Sequence, residues 1–386
     1  MTNRREFLTI TGGSILASGL SLDSAKAAEG TNNQNENQAS APIPEAANGQ
    51  GHFKLDHRFG LGGVAIGDGM NVNSDEDCRA ALQAAWDAGV RLYDTSPWYG
   101  FGLSERRFGN FLYNKKREDF ILSTKVGRVF HADATFRLKT NDPLWFGTPN
   151  FNYRYDFSAS GVRRSVEDSL QRLGLPYIDM VYIHDLDSHN KDINWEERFE
   201  ECKRGAFPEL IRMRDEGIIR GWGLGVNDID PILRTIRESD PNIHLSAEQY
   251  SLILHEDAVE RLLPVAEEKG NQIVLGGTLN TGYLAGSPRY YYRQSQVTPQ
   301  IAAKRDQLRE VAARHGVDLR TAALQFALAG RAVTAIAVGA HNAQQVQQNV
   351  ASLSVQIPEA FWAELRERRL ISPNARTGYQ QVTLRA

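Results

Sequence analysis

From about residue 52 to residue 370, short apolar runs bounded by turn residues alternate with longer stretches of helical periodicity. The runs lie at 59–66, 90–94, 120–125, 178–184, 221–226, 243–249, 272–277 and 335–339, and they predict buried strands. The stretches between and after them predict helices over 75–88, 103–112, 160–173, 195–216, 230–238, 257–269, 299–315 and 343–352. Ser74 ahead of Asp75-Glu76-Asp77 is a start signal, and Gly89 is a stop signal just before the next run. Strands alternating with helices imply parallel pairing through right-handed crossovers. Eight such units in roughly 320 residues fit a single-domain closed (β/α)8 barrel, the TIM barrel of the α/β class. An open doubly wound sheet is the alternative, but no G-x-G-x-x-G follows a strand. Gly60-Leu61-Gly62-Gly63 lacks that spacing.

The first fifty residues break this pattern. Asn3-Arg4-Arg5-Glu6-Phe7-Leu8 precedes a mildly apolar stretch over 10–22, then the small-x-small triplet Ala25-Lys26-Ala27. This order predicts a twin-arginine signal peptide over 1–27 and delivery through the twin-arginine export machinery, to the periplasm. That route carries folded proteins, so a cofactor can be loaded before export. Residues 28–51 hold few large apolar groups and predict a disordered linker. Residues 371–386 follow the last unit as a C-terminal tail.

Composition narrows the function. Among 386 residues, 44 Lys and Arg stand against 47 Asp and Glu, for a formal net charge of −3, so there is no basic footprint for nucleic acid. No apolar run approaches the roughly 18 residues that cross a bilayer. Cys78 and Cys202 fall on distant helices, which predicts no disulfide. His184, Asp185, Asp187 and His189 lack convincing metal spacing, and no metal is expected.

Barrel chemistry collects at the carboxyl ends of strands. There the second strand ends in Asp94, with Tyr99 in the loop beyond; the third ends in Lys125 and the fourth in His184. Neighbouring strands lie about 4.8 Å apart, so these side chains can converge. A lysine ammonium beside a phenol should lower its pKa from the usual value near 10. Asp94 would hold the ammonium, and His184 would orient a substrate oxygen. That set suits carbonyl reduction or alcohol oxidation with Tyr99 as general acid or base. Singly, each residue has an ordinary reading: a solvated lysine, a core histidine, a capping aspartate, a packed tyrosine. Together on consecutive strands they point to a site.

Over residues 53–355 the chain resembles the aldo-keto reductases. The resemblance rests on Tyr93-Asp94-Thr95-Ser96-Pro97-Trp98-Tyr99-Gly100, Leu103-Ser104-Glu105-Arg106-Arg107, Ser123-Thr124-Lys125-Val126-Gly127, Ser169-Leu170-Gln171-Arg172-Leu173-Gly174 and 178–184. It implies a catalytic tetrad of Asp94, Tyr99, Lys125 and His184, and hydride transfer between a nicotinamide and a carbonyl or alcohol carbon. Within the family the chain most resembles a bacterial branch of D-threo-aldose (L-fucose) 1-dehydrogenases and pyridoxal 4-dehydrogenase. Residues 99–107, 184–187 and 276–285 carry that likeness.

By the same resemblance, Asn227 and Gln249 would hold the nicotinamide carboxamide, although Val226 stands where a serine is common. Asn280, Thr281 and Gly282 would lie near the pyrophosphate. Gly339 leads into a helix whose N-terminus can receive a phosphate, and Gln345, Gln348 and Asn349 would face the adenosine. Family members that use NADP often carry a basic residue just after the eighth strand and an Arg on the next helix. Here those places hold Gly339 and Gln345, with His341 as the sole nearby cation, which favours NAD over NADP. Trp98 would form a substrate wall, joined by aromatic residues over 142–155 and by 288–293. The resulting expectation is a dehydrogenase acting on a sugar hemiacetal or a small aldehyde or alcohol. Alternatives are the same chemistry with a tightly held, internally recycled cofactor, and a cofactor-sensing barrel with little turnover.

Overall fold

Eight parallel strands close on themselves in the computed structural model, which describes residues 53–138, 144–147, 151–292, 297–379 and 384. The predicted signal peptide and linker lie outside the described residues. In chain order the barrel strands are β1 (Phe59–Gly62), β2 (Leu92–Asp94), β3 (Ile121–Val126), β6 (Ile178–His184), β7 (Ile219–Val226), β8 (Ile243–Ala247), β9 (Gln272–Gly276) and β10 (Val333–Gly339). An antiparallel hairpin, β4 (Arg128–His131) with β5 (Asn152–Tyr155), stands between β3 and β6. Each barrel strand pairs with the next in chain order, and β10 returns to β1. Every residue of β3 and β6 is buried, as expected of parallel strands with helices outside and side chains inside.

Two apolar layers result. Leu92, Ile121, Met180, Tyr182, Leu245, Val274 and Ala335 fill the barrel interior, while a larger cluster packs strands against helices. Phe53 and Leu55 join the interior layer, and the Leu55 N–H donates to Gln272 Oε1 at 2.8 Å. Helix α1 (Asp75–Asp87) starts where Ser74 predicts, with the Ser74 side chain accepting from the Asp77 N–H.

Helices α2 (Leu103–Leu112), α3 (Ala159–Leu173) and α6 (Ile229–Glu238) follow the sequence pattern to within a residue, and others depart from it. The helix expected over 195–216 is two, α4 (Trp195–Arg204) and α5 (Ala206–Asp215). Pro208 has no N–H to offer the Arg204 carbonyl, and Gly205 packs so closely that an added Cβ would lie 2.7 Å from the Phe157 oxygen. The 257–269 helix opens as a π turn over Ala258–Leu262, where Pro264 cannot bond back to Glu260, before α7 (Leu263–Glu268). Helix α9 (Leu319–Ala329), which follows α8 (Pro299–Arg314), is a further element of which all but Arg320 and Ala329 are buried. Such a helix has no polar face, so periodicity does not announce it. After β10 come α10 (Ala343–Ala351) and α11 (Glu359–Glu367). Packing continues into the expected tail, because Ile371 and Ala375 are buried and the Ser372 N–H donates to His255 Nε2 at 3.0 Å. Cys78 and Cys202 are free thiols. Among the described residues, no helix is long and apolar enough to cross a membrane.

Candidate active site

Register brings the predicted set together. Asp94 pairs with Ser123 across β2 and β3, Lys125 with Tyr182 across β3 and β6, and His184 with Gly225 across β6 and β7. Lys125 Nζ donates to both Asp94 oxygens, at 3.0 and 2.9 Å, and to the Thr95 carbonyl at 2.8 Å. The Ser123 hydroxyl donates to Asp94 Oδ1 at 2.6 Å. Lys125 is 1% exposed and Asp94 5%, so this is a buried ion pair with each ammonium proton engaged.

The loop carrying Tyr99 is anchored by backbone contact. Gly100 sits at φ +64, and a Cβ there would lie 2.3 Å from the Gly67 oxygen, so the loops after β1 and β2 touch through glycines. Lys125 Nζ lies 4.4 Å from the centroid of the Tyr99 ring. Trp145 and His184 flank the same ring at 5.9 and 5.7 Å between centroids.

The electrostatics correct one expectation. The Tyr99 phenol is held well above its ordinary pKa, chiefly by burial and then by the Asp94 and Asp185 carboxylates, with Arg128 opposing. The Lys125 ammonium, its charge matched at close range by Asp94, does not outweigh that burial. Burial pulls the Lys125 ammonium below its usual value while Asp94 works against that shift. His184 is pushed down to about 3, mainly by burial. Its imidazole is therefore neutral at physiological pH. Ser96 Oγ accepts from the Trp98 N–H at 3.1 Å and lies 3.1 Å from His184 Nδ1, and we assign its hydroxyl proton to that nitrogen. Nε2 then carries the imidazole proton.

All four residues line one cavity of about 890 Å³ at the carboxyl ends of the strands. Trp98, Asn227, Thr281, Gly282, Gly339, Gln345, Gln348 and Asn349 line it too. Gln249 does not: its amide donates to the Asn227 carbonyl. β8 ends at Ala247, and Glu248 takes a left-handed φ of 59°, so Ala247 and Glu248 form the wall in its place. Asn280 is not one of the lining residues, and its side-chain amide is buried without a hydrogen-bond partner. Leu144, Trp145, Tyr291 and Tyr292 supply apolar lining, whereas Tyr153 packs edge-on to Trp98 from behind, 4.9 Å between centroids. Residues 142–143 and 293 of the expected walls lie outside the described residues.

The cavity suits a nicotinamide dinucleotide. Thr278 Oγ1 and Arg289 Nη1, both on lining residues, are buried without protein partners. At the far side stands the N-terminus of α10, capped by Asn342, which accepts from the Gln345 N–H. His341 is not alone there. Arg289 from the loop after β9 and Arg320 from α9 line the same cavity, and Arg320 Nη1 donates to Gln348 Oε1 at 2.7 Å. The preference for NAD argued from Gly339 and Gln345 loses its premise. Glu248, Arg289 and Arg320 carry no motif in the sequence. Away from the tetrad, the ligand atoms of Asp187, His189 and Asp228 come within 4.8 Å of one another. Both acids are already engaged, Asp187 by the Asn227 N–H and Asp228 by the Ser188 N–H.

The Aldo/keto reductase family model matches residues 58–369. The chain is 36% identical over 322 residues to D-threo-aldose 1-dehydrogenase of a Pseudomonas species, spanning 81% of this chain and 94% of that one. It is 35% identical over 331 residues to pyridoxal 4-dehydrogenase of Microbacterium luteolum, with the same coverage, 81% and 94%. A solved glycerol dehydrogenase from Gluconobacter oxydans superposes with a TM-score of 0.62 at 23% identity, covering 82% of this chain and 94% of that one, which is a likeness of fold.

Proposed function

The chain belongs to the aldo/keto reductase family, and from that premise we propose that it oxidises the anomeric carbon of an aldose hemiacetal or a related small hydroxylated aldehyde. At the coarser level it is an oxidoreductase of carbonyl and CH–OH groups that uses a nicotinamide cofactor. The observation that carries the reading is the buried Lys125–Asp94 pair beneath Tyr99, with neutral His184 beside it in the same cavity.

The residues divide the work. His184 Nε2–H donates to the reacting oxygen and sets the face that its carbon presents. Tyr99 holds a proton at its phenol oxygen, gives it to the oxygen during reduction and takes it back during oxidation. Lys125, fixed by Asp94 and Thr95, places a positive charge against the Tyr99 ring and stabilises negative charge as it develops there. Trp98 and Trp145 shield these groups from water. Asn227, Thr278, Thr281, Gly282, Arg289 and Asn349 would hold the dinucleotide. When bound, the nicotinamide gives or receives the hydride and adds positive charge in its oxidised form.

Both NAD and NADP should serve, since Gly339 and Gln345 offer no cation while Arg289 and Arg320 do. A panel of aldoses, small aldehydes and polyols, assayed with each cofactor at the nicotinamide absorbance band, should give turnover with aldoses. No turnover with either cofactor would reject the reading. We further infer export by the twin-arginine route from Arg4-Arg5-Glu6-Phe7-Leu8. Arg4-Arg5→Lys-Lys should hold the protein in the cytoplasm on fractionation, and an unchanged distribution would sink that route.

A further inference from the structure

Beside the tetrad stands a second ion pair, Asp185 with Arg128, of which Asp185 reaches the cavity. Asp185 follows His184 at the end of β6, and a left-handed φ of 49° turns the chain there. The turn is anchored by its N–H, which donates to the Gly225 carbonyl at 2.9 Å. Asp185 lines the cavity. Its Oδ2 accepts from Arg128 Nη2 at 2.9 Å. Oδ1 accepts from Asn227 Nδ2 at 3.3 Å and lies 3.5 Å from His184 Nε2.

Arg128 is a poor candidate for an ordinary surface cation. It is 4% exposed, with Nε and Nη1 buried and without hydrogen-bond partners. Its guanidinium lies 4.6 Å from the Trp98 ring centroid and 5.0 Å from that of Tyr155, and Nη2 also donates to the Tyr155 hydroxyl at 3.1 Å. Asp185 raises its pKa against the cost of burial. Burying an ion pair of this kind is weak as a stability device, because desolvation offsets much of the attraction. Its position suggests a different use, since it holds a charged acceptor next to the nitrogen that receives the reacting oxygen.

We propose that Asp185, positioned by Arg128, is a specificity-determining residue that binds a hydroxyl on the carbon next to the reacting carbon. The proposal rests on the oxidoreductase reading above and names the substrate class for that site. An oxygen bound by His184 Nε2 stands about 2.9 Å from it, and vicinal oxygens are separated by about one hydrogen-bond length. A 2-hydroxyl therefore falls within reach of Asp185 Oδ1. A carboxylate only accepts, so it selects an O–H and leaves a methyl or methylene in that place against an oxygen to which it can donate nothing. Sites built to bond a substrate hydroxyl discriminate strongly against the analogue that lacks it. The favoured substrates are 2-hydroxy aldehydes and aldose hemiacetals, in preference to simple aldehydes.

Glycolaldehyde and propionaldehyde have equal numbers of heavy atoms and differ by hydroxyl against methyl. The wild-type protein should favour glycolaldehyde in kcat/KM by about thirtyfold or more. Asp185→Asn, which tolerates the left-handed backbone, should lower that ratio about tenfold, mostly through loss on glycolaldehyde. Where the unpaired guanidinium harms folding, Arg128→Met combined with Asp185→Asn removes it and should show the same lowered ratio. A merely structural role would slow both aldehydes alike and leave the ratio unchanged, which overturns the proposal. Equal turnover of the two aldehydes by the wild-type protein also overturns it while leaving the reductase chemistry intact. No turnover of either overturns both.

Discussion

Tyr99→Phe lowers turnover about a thousandfold and leaves the cofactor dissociation constant within about threefold. The substitution removes one oxygen and leaves the ring, so the contacts with Lys125, Trp145 and His184 that hold the loop persist. What disappears is the acid that meets the reacting oxygen. General acid–base catalysis of this kind contributes about 10²–10⁴-fold. His184 cannot replace it, since an imidazole with its pKa near 3 is neutral at working pH and does not pass a proton on as a cation would. The same shifts fix the sign of a pH response. Tyr99 is held protonated well above 10, and His184 stays neutral above about 3. Carbonyl reduction at saturating substrate should therefore be flat between about pH 5 and 9 as far as these two groups are concerned. Stopped-flow turnover alongside fluorescence titration of the reduced cofactor checks the substitution. Turnover within tenfold of wild type would remove Tyr99 from the proton step.

The tetrad is legible because each member has a place that periodicity can find. Asp94, Lys125 and His184 close apolar runs, and the fold rule says that run ends are where chemistry collects. The cofactor side is less legible, for local reasons. Gln249 looks like the end of a strand, but the left-handed turn at Glu248 stops β8 at Ala247, so Gln249 turns to the Asn227 carbonyl. Arg320 was hidden because α9 has almost no polar face to announce a helix, and Arg289 because a loop has no period at all. The Tyr99 pKa failed differently. Sequence proximity of charge types predicts attraction, whereas the outcome depends on burial and on Asp94 neutralising the nearest cation. Asp185 and Arg128 lie 57 residues apart, and their pairing depends on the hairpin that starts with Arg128, an element absent from the predicted pattern.

Asp94→Asn should be costly twice over, and the two costs separate. It keeps the shape of the side chain but leaves Lys125, 1% exposed, as a buried cation without its counter-charge. Removing one partner of a buried pair typically costs about 3–5 kcal/mol. For a domain of this size, that is a fall in Tm of roughly 4–7 °C. The variant protein has an escape, which sets the pH dependence. Burial already depresses the Lys125 pKa, and without Asp94 opposing it the depression deepens. A folded-state amine pKa below the unfolded value means that the unfolded chain binds more protons. Stability then rises with pH, and the deficit shrinks as pH climbs toward the unfolded lysine value near 10.4. Combining Asp94→Asn with Lys125→Met takes the stranded charge away and should recover most of the lost Tm, because apolar replacement of a buried pair is often neutral or better. It should recover none of the turnover, since the charge beneath Tyr99 is gone. Thermal unfolding across pH, read beside kcat, distinguishes the two effects. A double variant as unstable as the single one would mean that Asp94 acts through its bond from Ser123 and not as the counter-ion of Lys125.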